Sequence, residues 1–571
     1  MPPPKRKPTN SAHTDPCSQP CLHSVPTLTP SPYAVNSGYK PKTNNQLLTA
    51  LTGKRKHSPT DAWNYTLDVY PEPLVLPGDS IDLDPKYPAQ SFQSWVKLGD
   101  RNHVTARRNV VYVAAPPEID ESVKLMRGWS RLGGEGASSN STGREEGYFD
   151  IKAVIAYLQA FFYGLEVRLL PMALRYTSWE DSPKPKPRPE ARSKATTKHN
   201  LDEEIKYIAL CTDTEGIRVR VRRAPPVHSA SPPSAFPYPY QLNLDDLTDT
   251  AMSILPADGY ALLLTAIHDM YESDDDDFCC GRAWGASRVA VVSGARYVTA
   301  LDDLHDVERE HVWPASHCRA FVERVGLSEH THDDDQETSC GSVNTESDEE
   351  VPGAMKHKRR RILDSSAEKF PARPVTSAPP SSSSLPLASA MQAHSHVLPS
   401  TSPPPPSALT HLFRVCRTAS HELGHTLGLE HCMYRACVMQ GTNSVAEDLR
   451  QPPYLCSLCE AKVGWAILER ERDRERHLNG DDTAHRRKRE VADIASLPRT
   501  RTPSGTGAGR GRVRREGDQE EQGPVPVMRN WIRQRHTALR DFCRRQGQGS
   551  AFAPPAGWHD GMLEVMDQRG L

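Results

Sequence analysis

Apolar residues recur with regular spacing in several separated stretches of the chain. In FDIKAVIAYLQAFFYG, at residues 149–164, they return every three or four positions, and Gly164 is placed to end a helix. NVVYVAAPP at 109–117 and LEVRLLP at 165–171 flank this stretch and have the apolar, β-branched composition of buried strands. The three stretches together predict a β-α-β unit.

The same alternation continues further along the chain. NLDDLTDTAMSILP at 243–256 predicts a helix capped by Asn243, and GYALLLTAIHD predicts the strand that follows it. FCCGRAWGASRVAVVSGARY at 278–297 predicts two strands joined at Gly285, and VMRNWIRQRHTALRDFC at 527–543 predicts a closing helix. Strands that alternate with helices are typical of an α/β fold.

The charge balance and the hydropathy pattern exclude several classes of protein. Lys and Arg number 70 and Asp and Glu 72, so no overall field favours nucleic acid or an acidic membrane surface. No apolar run approaches the roughly 18 residues that a membrane helix needs, and the proline-broken N-terminus lacks the apolar stretch of a secretory signal. We therefore expect a soluble protein with no specific nucleic-acid partner and no membrane partner.

The cysteines and two basic runs bear on the location of the protein. Its 13 cysteines are odd in number and scattered, which does not suit a disulfide scaffold and favours a reducing compartment. PPPKRKP at 2–8 and KHKRRR at 356–361 are compatible with nuclear import, but such runs occur more often as solvated linker. The expected location is the cytoplasm, with the nucleus as the alternative.

The candidate chemistry is concentrated in TASHELGHTLGLEHCMYRACVM at 418–439. His421 and His425 are four residues apart, so on a helix both imidazoles project from one face and can hold a single metal ion. Glu422 lies beside them, where a carboxylate can take a proton from a metal-bound water. Gly428 can adopt a positive φ and reverse the chain, which delivers His431 as a third ligand.

Three histidine ligands indicate a catalytic rather than a structural zinc site. Three neutral imidazoles leave the fourth tetrahedral position of Zn²⁺ for water. The ion lowers the pKa of that water to about 7 and polarises a substrate carbonyl. The alternative, two surface histidines paired with nearby carboxylates, explains neither Gly428 nor His431.

Four cysteines form a second cluster directly after the third histidine. Two pairs, CxxxxC and CxxC, have spacings that suit a closed, structural zinc site, and they comprise Cys432, Cys437, Cys456 and Cys459. Because this cluster adjoins His431, it can support the loop that carries the third histidine. Buried apolar cysteines and a reactive thiol pair are the alternatives.

The run from His421 to Cys459 resembles the archaemetzincins, a family of zinc metallopeptidases within the metzincin group. The shared pattern is HExxHxxGxxHCxxxxCxM followed by CxxC, and it combines the metzincin histidines with four cysteines that other metzincins lack. The order of strands and helices is similar to the family's catalytic domain over roughly 60–300 and 408–470.

The resemblance implies a fold and a set of metal sites. The fold is a metzincin-like α/β catalytic domain, with a mixed, mostly parallel sheet, an antiparallel edge strand and flanking helices. Two Zn²⁺ ions are implied. The catalytic ion is bound by His421, His425 and His431, and the structural ion by Cys432, Cys437, Cys456 and Cys459.

The resemblance also implies roles for individual residues. Glu422 is the general base and then the proton donor to the leaving amine. Met439 matches the methionine that lies beneath the catalytic ion in the family, although an ordinary core methionine is the alternative. The family's edge strand binds the substrate backbone, and CCGRAWG at 279–285 is the candidate for that strand.

Composition divides this domain into ordered and disordered parts. The 50 prolines in 571 residues exceed the average share of about 5%, and blocks of Pro, Ser and charged residues without apolar periodicity predict disorder. The predicted layout is a disordered tail at 1–60, the N-terminal part of the catalytic domain at 61–326, a disordered insertion at 327–406, the active-site helix and zinc-binding segment at 407–470, a disordered linker at 471–525, and a C-terminal helix and tail at 526–571.

We therefore expect a zinc-dependent metallopeptidase that acts on peptide or protein substrates through a water activated by Glu422. Two other functions stay open: a non-catalytic zinc-binding scaffold, and a nuclear regulator that retains the peptidase fold. The presence of Glu422 argues against the scaffold, because a purely structural site has no need of a base. The sequence leaves the substrate, the choice between endo- and aminopeptidase action, and the oligomeric state open.

Overall fold

The computed structural model describes the chain in stretches separated by gaps. The described residues are 26–54, 69–132, 148–180, 206–212, 215–223, 237–274, 276–327, 386–395, 408–478 and 524–570. Their α-helices are α1 (Pro32–Asn36), α2 (Asn44–Thr52), α3 (Ser80–Leu83), α4 (Phe92–Val96), α5 (Ile151–Phe161), α6 (Leu244–Ile254), α7 (Arg319–Leu327), α8 (Pro386–His394), α9 (Ala408–Thr426), α10 (Val445–Arg450), α11 (Ser457–Leu478), α12 (Pro524–Arg545) and α13 (Ala553–Gln568).

The strands form two sheets. They are β1 (Val110–Ala114), β2 (Glu118–Ile119), β3 (Glu166–Leu169), β4 (Arg175–Thr177), β5 (Tyr207–Cys211), β6 (Gly216–Arg223), β7 (Tyr240–Asn243), β8 (Gly259–Ala266), β9 (Met270–Tyr271), β10 (Gly281–Trp284) and β11 (Val289–Ser293). The first sheet has the order β10-β11-β8-β1-β3, and the second has the order β2-β4-β5-β6-β7-β9.

The first sheet is mostly parallel and has one antiparallel edge. β3, β1, β8 and β11 pair in parallel, whereas β10 pairs antiparallel with β11, with Arg282 opposite Val291. A parallel pair needs a long crossover, and α5 supplies it between β1 and β3. The predicted mixed α/β architecture is confirmed, including the antiparallel edge strand within 279–285.

Both faces of the first sheet are buried. Along β1, Val111 and Val113 pack into one core with α5 and α9, while Tyr112 faces a second core shared with α6 and the second sheet. Successive side chains of a strand point to opposite faces, so a strand buried on both faces has a continuous apolar run. This explains the uninterrupted run VVYVA.

The C-terminal helices complete the larger core. α9 packs against β8, β10 and β11 on one side and against α5 on another, and α12 packs against α5, α11 and α13. Aromatic residues of α12 and its neighbours fill the space between these helices, with Tyr157 and Phe542 ring centroids 5.6 Å apart. Helix α9, which carries His421 and His425, is therefore held from several directions.

The structure corrects parts of the predicted layout. α1 and α2 lie inside the tail predicted to be disordered at 1–60. Thr43 and Gln46 form a capping box at the start of α2, and Leu47 and Leu51 bury its apolar face in the main core. A short amphipathic helix depends on such packing for its stability, which a sequence pattern does not show.

The boundaries near the C-terminus differ as well. α8 lies inside the predicted insertion at 327–406 and packs against α13, which replaces the tail expected within 526–571. α11 continues to Leu478 and α12 starts at Pro524, so both enter the predicted linker at 471–525. The rest of the predicted tail, insertion and linker lies outside the described residues.

No helix in the described part of the chain is both long enough and apolar enough to cross a bilayer.

Candidate metal centre and active site

Helix α9 presents the first two histidines of the predicted site. His421 and His425 lie one turn apart near its C-terminal end, and their Nε2 atoms are 3.0 Å apart. Both side chains face the cleft beside the edge strand β10. The i, i+4 spacing on a helix therefore places the two imidazoles together, as predicted.

The chain reverses at Gly428, directly after α9. Its φ is +80°, the left-handed conformation predicted for this glycine. The N–H of Leu429 donates to the carbonyl of Gly424 at 3.3 Å, and the N–H of Gly428 donates to that of His425 at 2.9 Å. This pair of hydrogen bonds is a Schellman motif, and it turns the chain back toward the site.

The reversal brings the third histidine to the first two. The ligand nitrogens of His421, His425 and His431 all lie within 4.8 Å of one another. The ring centroids of His425 and His431 are 5.1 Å apart. The structure therefore gathers the three predicted ligands at one point, although their binding of a metal stays a prediction.

The hydrogen bonds of the histidines suit a metal ion. The Nδ1 of His421 donates to the carbonyl of Val438 at 2.6 Å, and the Nδ1 of His425 donates to that of Leu429 at 2.7 Å. With the protons on Nδ1, both Nε2 atoms carry lone pairs. Two lone pairs 3.0 Å apart repel each other unless a cation lies between them, so this donor set fits Zn²⁺.

The histidines are neutral in this environment. Burial lowers the pKa of His421 well below its usual range and that of His425 to about 4, with the neighbouring histidine as a further cause in each case. Neutral imidazole is the form that binds metals.

Glu422 is held between α9 and the edge strand. A Cβ on Gly281 would lie 3.1 Å from its Cγ and 3.1 Å from its Oε1, so the glycine leaves room for the carboxyl group. Burial raises the pKa of Glu422 to about 8, and the positive charge of Arg282 opposes that shift. The carboxyl group lines the same cleft as the three histidines.

Met439 packs beneath α9. Its side chain is fully buried, and its Sδ lies 2.5 Å from the position that a Cβ on Gly424 would occupy. The carbonyl of Met439 accepts a hydrogen bond from the N–H of Cys432 at 2.7 Å. Met439 therefore lies next to the turn of helix that carries His425 and is tied to the start of the cysteine cluster.

The four cysteines also converge. Their Sγ atoms all lie within 4.8 Å of one another, all four are buried, and none forms a disulfide. The N–H of Cys456 donates to the Sγ of Cys437 at 3.2 Å, and hydrogen bonds from the other three thiols lower the pKa of Cys432 well below its usual range. Four sulfur ligands in a closed, buried group fit a structural zinc site.

A cleft of about 700 Å³ contains the histidines and Glu422. The outer strand β10 forms one wall, and residues 442–445 with Asp448 form part of another. Deep in the cleft, the hydroxyl of Tyr297 accepts a hydrogen bond from Thr418 at 2.8 Å and donates one to Asp448 at 3.1 Å. Among the described residues no strand pairs with the outer edge of β10, and an unpaired strand edge is a place where an extended chain can bind.

Sequence reasoning missed the contribution of the N-terminal segment. The Nε1 of Trp95 donates to the carbonyl of Leu427 at 3.0 Å, and the ring of Tyr87 lies 5.8 Å from that of His431. Apolar residues between prolines at 61–105 predict only a segment packed on the core. No motif in it indicates that it supports the histidine loop.

Comparison with known proteins bears on the segment that carries both clusters. Residues 407–464 match the model of Peptidase family M54. Archaemetzincin-2 of Macaca fascicularis is 48% identical over 63 residues, which are 10% of this chain and 18% of that protein. This segment is similar to the archaemetzincins.

Other archaemetzincins align with the same short part of the chain. Archaemetzincin-2 of Homo sapiens is 46% identical over 63 residues, 10% of this chain and 18% of that protein. Archaemetzincin of Aeropyrum pernix is 48% identical over 50 residues, 9% of this chain and 27% of that protein. The chain thus aligns with less than a third of the length of these curated archaemetzincins. The resemblance to archaemetzincins is confirmed over this segment.

A crystal structure of archaemetzincin from Methanopyrus kandleri matches 64% of this chain and 98% of that chain at 14% identity, with a TM-score of 0.25.

Proposed function

We propose that this protein is a zinc-dependent metallopeptidase of the archaemetzincin type, with a metzincin-like catalytic domain. The observation that carries the proposal is the convergence of His421, His425 and His431 beside Glu422, in a cleft bordered by an antiparallel edge strand. The match of residues 407–464 to Peptidase family M54 supports it.

Two groups of residues would hold zinc. The catalytic ion would be held by the three histidines and the structural ion by Cys432, Cys437, Cys456 and Cys459, which gives two Zn²⁺ per chain. An ion bound by the histidines supplies a Lewis acid for the substrate carbonyl and acidifies the attacking water.

Glu422 moves the proton in this proposal. The positive charges of Arg282 and of a zinc ion held by the histidines would favour the ionised form of Glu422. Its carboxylate takes a proton from the attacking water and then gives it to the nitrogen of the leaving amine. The buried position between α9 and Gly281 keeps the carboxyl group beside the reacting atoms and away from bulk water. Proton transfer of this kind contributes about 10²–10⁴-fold to the rate.

Strand β10 positions the substrate in this proposal. One of its edges pairs with β11, and the other can pair with an extended peptide. Main-chain hydrogen bonds of this kind recognise a peptide backbone of any sequence, so peptide or protein chains are the proposed substrates. Such pairing would place a scissile bond above the histidines.

The decisive experiment compares the wild type with Glu422→Gln on a diverse peptide library, with the products identified by mass spectrometry. Both proteins must first contain equal zinc. Glu310→Gln is a matched control, because Glu310 is exposed and does not line the cleft. We expect the wild type and the control to cleave and Glu422→Gln to lose activity by about 10²–10⁴-fold.

The positions of the cuts then separate endopeptidase from aminopeptidase action. If the wild type holds two zinc ions and cleaves no peptide, the peptidase proposal is wrong and the scaffold or regulator alternative is favoured. If Glu422→Gln cleaves as fast as the wild type, the proposed role of Glu422 is wrong.

A further inference from the structure

A glutamine from the N-terminal segment forms two hydrogen bonds with the loop between the second and third histidines. The Nε2 of Gln90 donates to the carbonyl of Gly428 at 3.0 Å, and its Oε1 accepts from the N–H of Glu430 at 3.3 Å. These two peptide groups flank Leu429, whose carbonyl accepts the Nδ1 proton of His425. One side chain therefore holds the span that orients His425 and delivers His431.

A buried lysine holds Gln90 in turn. The Nζ of Lys462 donates to the Oε1 of Gln90 at 2.7 Å and to its backbone carbonyl at 2.8 Å. Lys462 is 2% exposed and lies on α11, three residues after Cys459. An amide that is fixed on both sides has little freedom to rotate, so the lysine sets the direction in which Gln90 points.

The position of Lys462 connects this contact to the cysteine cluster. Lys462 and Cys459 lie about one turn apart on α11, so the contact with Gln90 and the cysteine cluster share this helix. A buried cation is costly unless it is paired. Here the two hydrogen bonds to the oxygens of Gln90 compensate for the burial of the ammonium.

We propose that Gln90 and Lys462 form a bridge through which the four-cysteine site positions the loop of His425 and His431. They are positioning residues, since the contacts described above join the histidine loop to α11, the helix that carries Cys459, and reach no substrate group. The inference rests on the proposed function only in that both clusters bind metal. It adds a coupling between the two sites that depends on a segment outside the match at 407–464.

Three variants test the bridge. Gln90→Glu keeps an oxygen for Lys462 but sets a carboxylate oxygen against the carbonyl of Gly428. Lys462→Met removes the ammonium and leaves a side chain of similar length. Gln93→Glu is the matched control, because it makes the same chemical change three residues away, on α4, without touching the bridge.

The readouts are metal binding and folding, each independent of peptide cleavage. Co²⁺ is bound to both sites, and the cysteine site is followed by its thiolate-to-cobalt absorption. Transfer of Co²⁺ from the histidine site to a chelator gives the affinity of that site. Thermal unfolding of each variant shows whether the chain is folded.

We expect Gln90→Glu and Lys462→Met to weaken the histidine site by about 10–100-fold, as loss of a supporting partner does at metal sites. The absorption of the cysteine site in Gln90→Glu and both sites in Gln93→Glu should match the wild type. An unchanged histidine-site affinity in a folded Gln90→Glu overturns the proposal. If that variant does not fold, an unchanged affinity in Lys462→Met overturns it instead.

The outcome is separable from that of the proposed function. A wild type that binds both metal ions and cleaves no peptide contradicts the peptidase and leaves the bridge intact. A wild type that cleaves peptides while the bridge variants keep normal metal affinity contradicts the bridge and leaves the peptidase intact.

Discussion

Replacing Gly428 by alanine tests whether the turn after α9 is what delivers His431. Gly428 has a φ of +80°, and a Cβ there would lie 3.0 Å from the Cγ of Arg101. The Arg101 side chain is 1% exposed, and its guanidinium lies 4.3 Å from the ring centroid of Trp95. It has little room to move, so the loop must shift if the methyl group is to fit.

The expected loss of stability follows from these contacts. A left-handed conformation costs an L-residue about 1–2 kcal/mol, and the lower freedom of alanine in the unfolded chain returns about 0.4–1 kcal/mol. Crowding in a packed site adds about 1–3 kcal/mol. We expect Gly428→Ala to be less stable than the wild type by roughly 1–5 kcal/mol, with about 3 kcal/mol at the middle of these ranges.

Gly164→Ala is a matched control for this prediction. Gly164 follows α5 with a φ of +98°, and a Cβ there would lie 3.0 Å from the Cγ2 of Ile467. The two variants should therefore lose similar stability in thermal unfolding. Only Gly428→Ala should also lower the affinity of the histidine site for metal, by about tenfold or more.

Equal metal retention in the two variants would refute the reasoning, because it would mean that the position of His431 does not depend on the turn. Gly428→Asn separates the two causes, since asparagine tolerates the left-handed conformation. If Gly428→Asn is as stable as the wild type, the loss in Gly428→Ala comes from the left-handed φ. If Gly428→Asn is as unstable as Gly428→Ala, the loss comes from the contact with Arg101.

Three further predictions concern the supports of the site. A Cβ on Gly441 would lie 2.8 Å from the Nδ1 of His431, so Gly441→Ala should weaken metal binding by the histidines by about 10-fold or more, and an unchanged affinity contradicts this. Burial and the negative charge of Asp79 raise the pKa of Glu447 from 4.5 to about 8, so the folded chain keeps a proton there that the unfolded chain loses near pH 4.5. Stability should therefore fall as the pH rises from 4.5 through 8, and Glu447→Gln should flatten the plot of Tm against pH; equal slopes refute this. Cys459→Ser removes one of four sulfur ligands and should lower both metal content and Tm, whereas unchanged metal content by mass spectrometry excludes a zinc site there.

Local patterns in the sequence were enough to predict the strands of the first sheet and the helix that carries His421 and His425, whereas the pairing of those strands was implied only by the family resemblance. Burial can be predicted from a few neighbouring residues in β1 and β8, which are apolar runs, and in α5, which has helical spacing of its apolar residues. The positive φ of Gly428 follows from its place after HELGH, since few other residues adopt that conformation. The meeting of His421, His425 and His431 could therefore be predicted from the sequence.

The second sheet was missed because its strands lie among proline-rich and charged residues. A signal was present in GIRVRVRR, where Ile217, Val219 and Val221 alternate with arginine, the period of a half-buried strand. The bridge of Gln90 and Lys462 could not be predicted in this way. It depends on a contact between residues 372 positions apart. The spacing of apolar residues along a short stretch of sequence does not predict such a contact.

The contacts between the N-terminal segment and the histidine loop also bear on how the chain folds during synthesis. Trp95 and Leu427 are separated by 332 positions, and at about 5–20 residues per second the ribosome needs roughly 20–70 s to span them. Until then Trp95 and Gln90 have no partner on the loop. Contacts of such long range make folding slow. We therefore expect the histidine site to form only after most of the chain has been made, so that a metal ion can be bound there late in synthesis or after it.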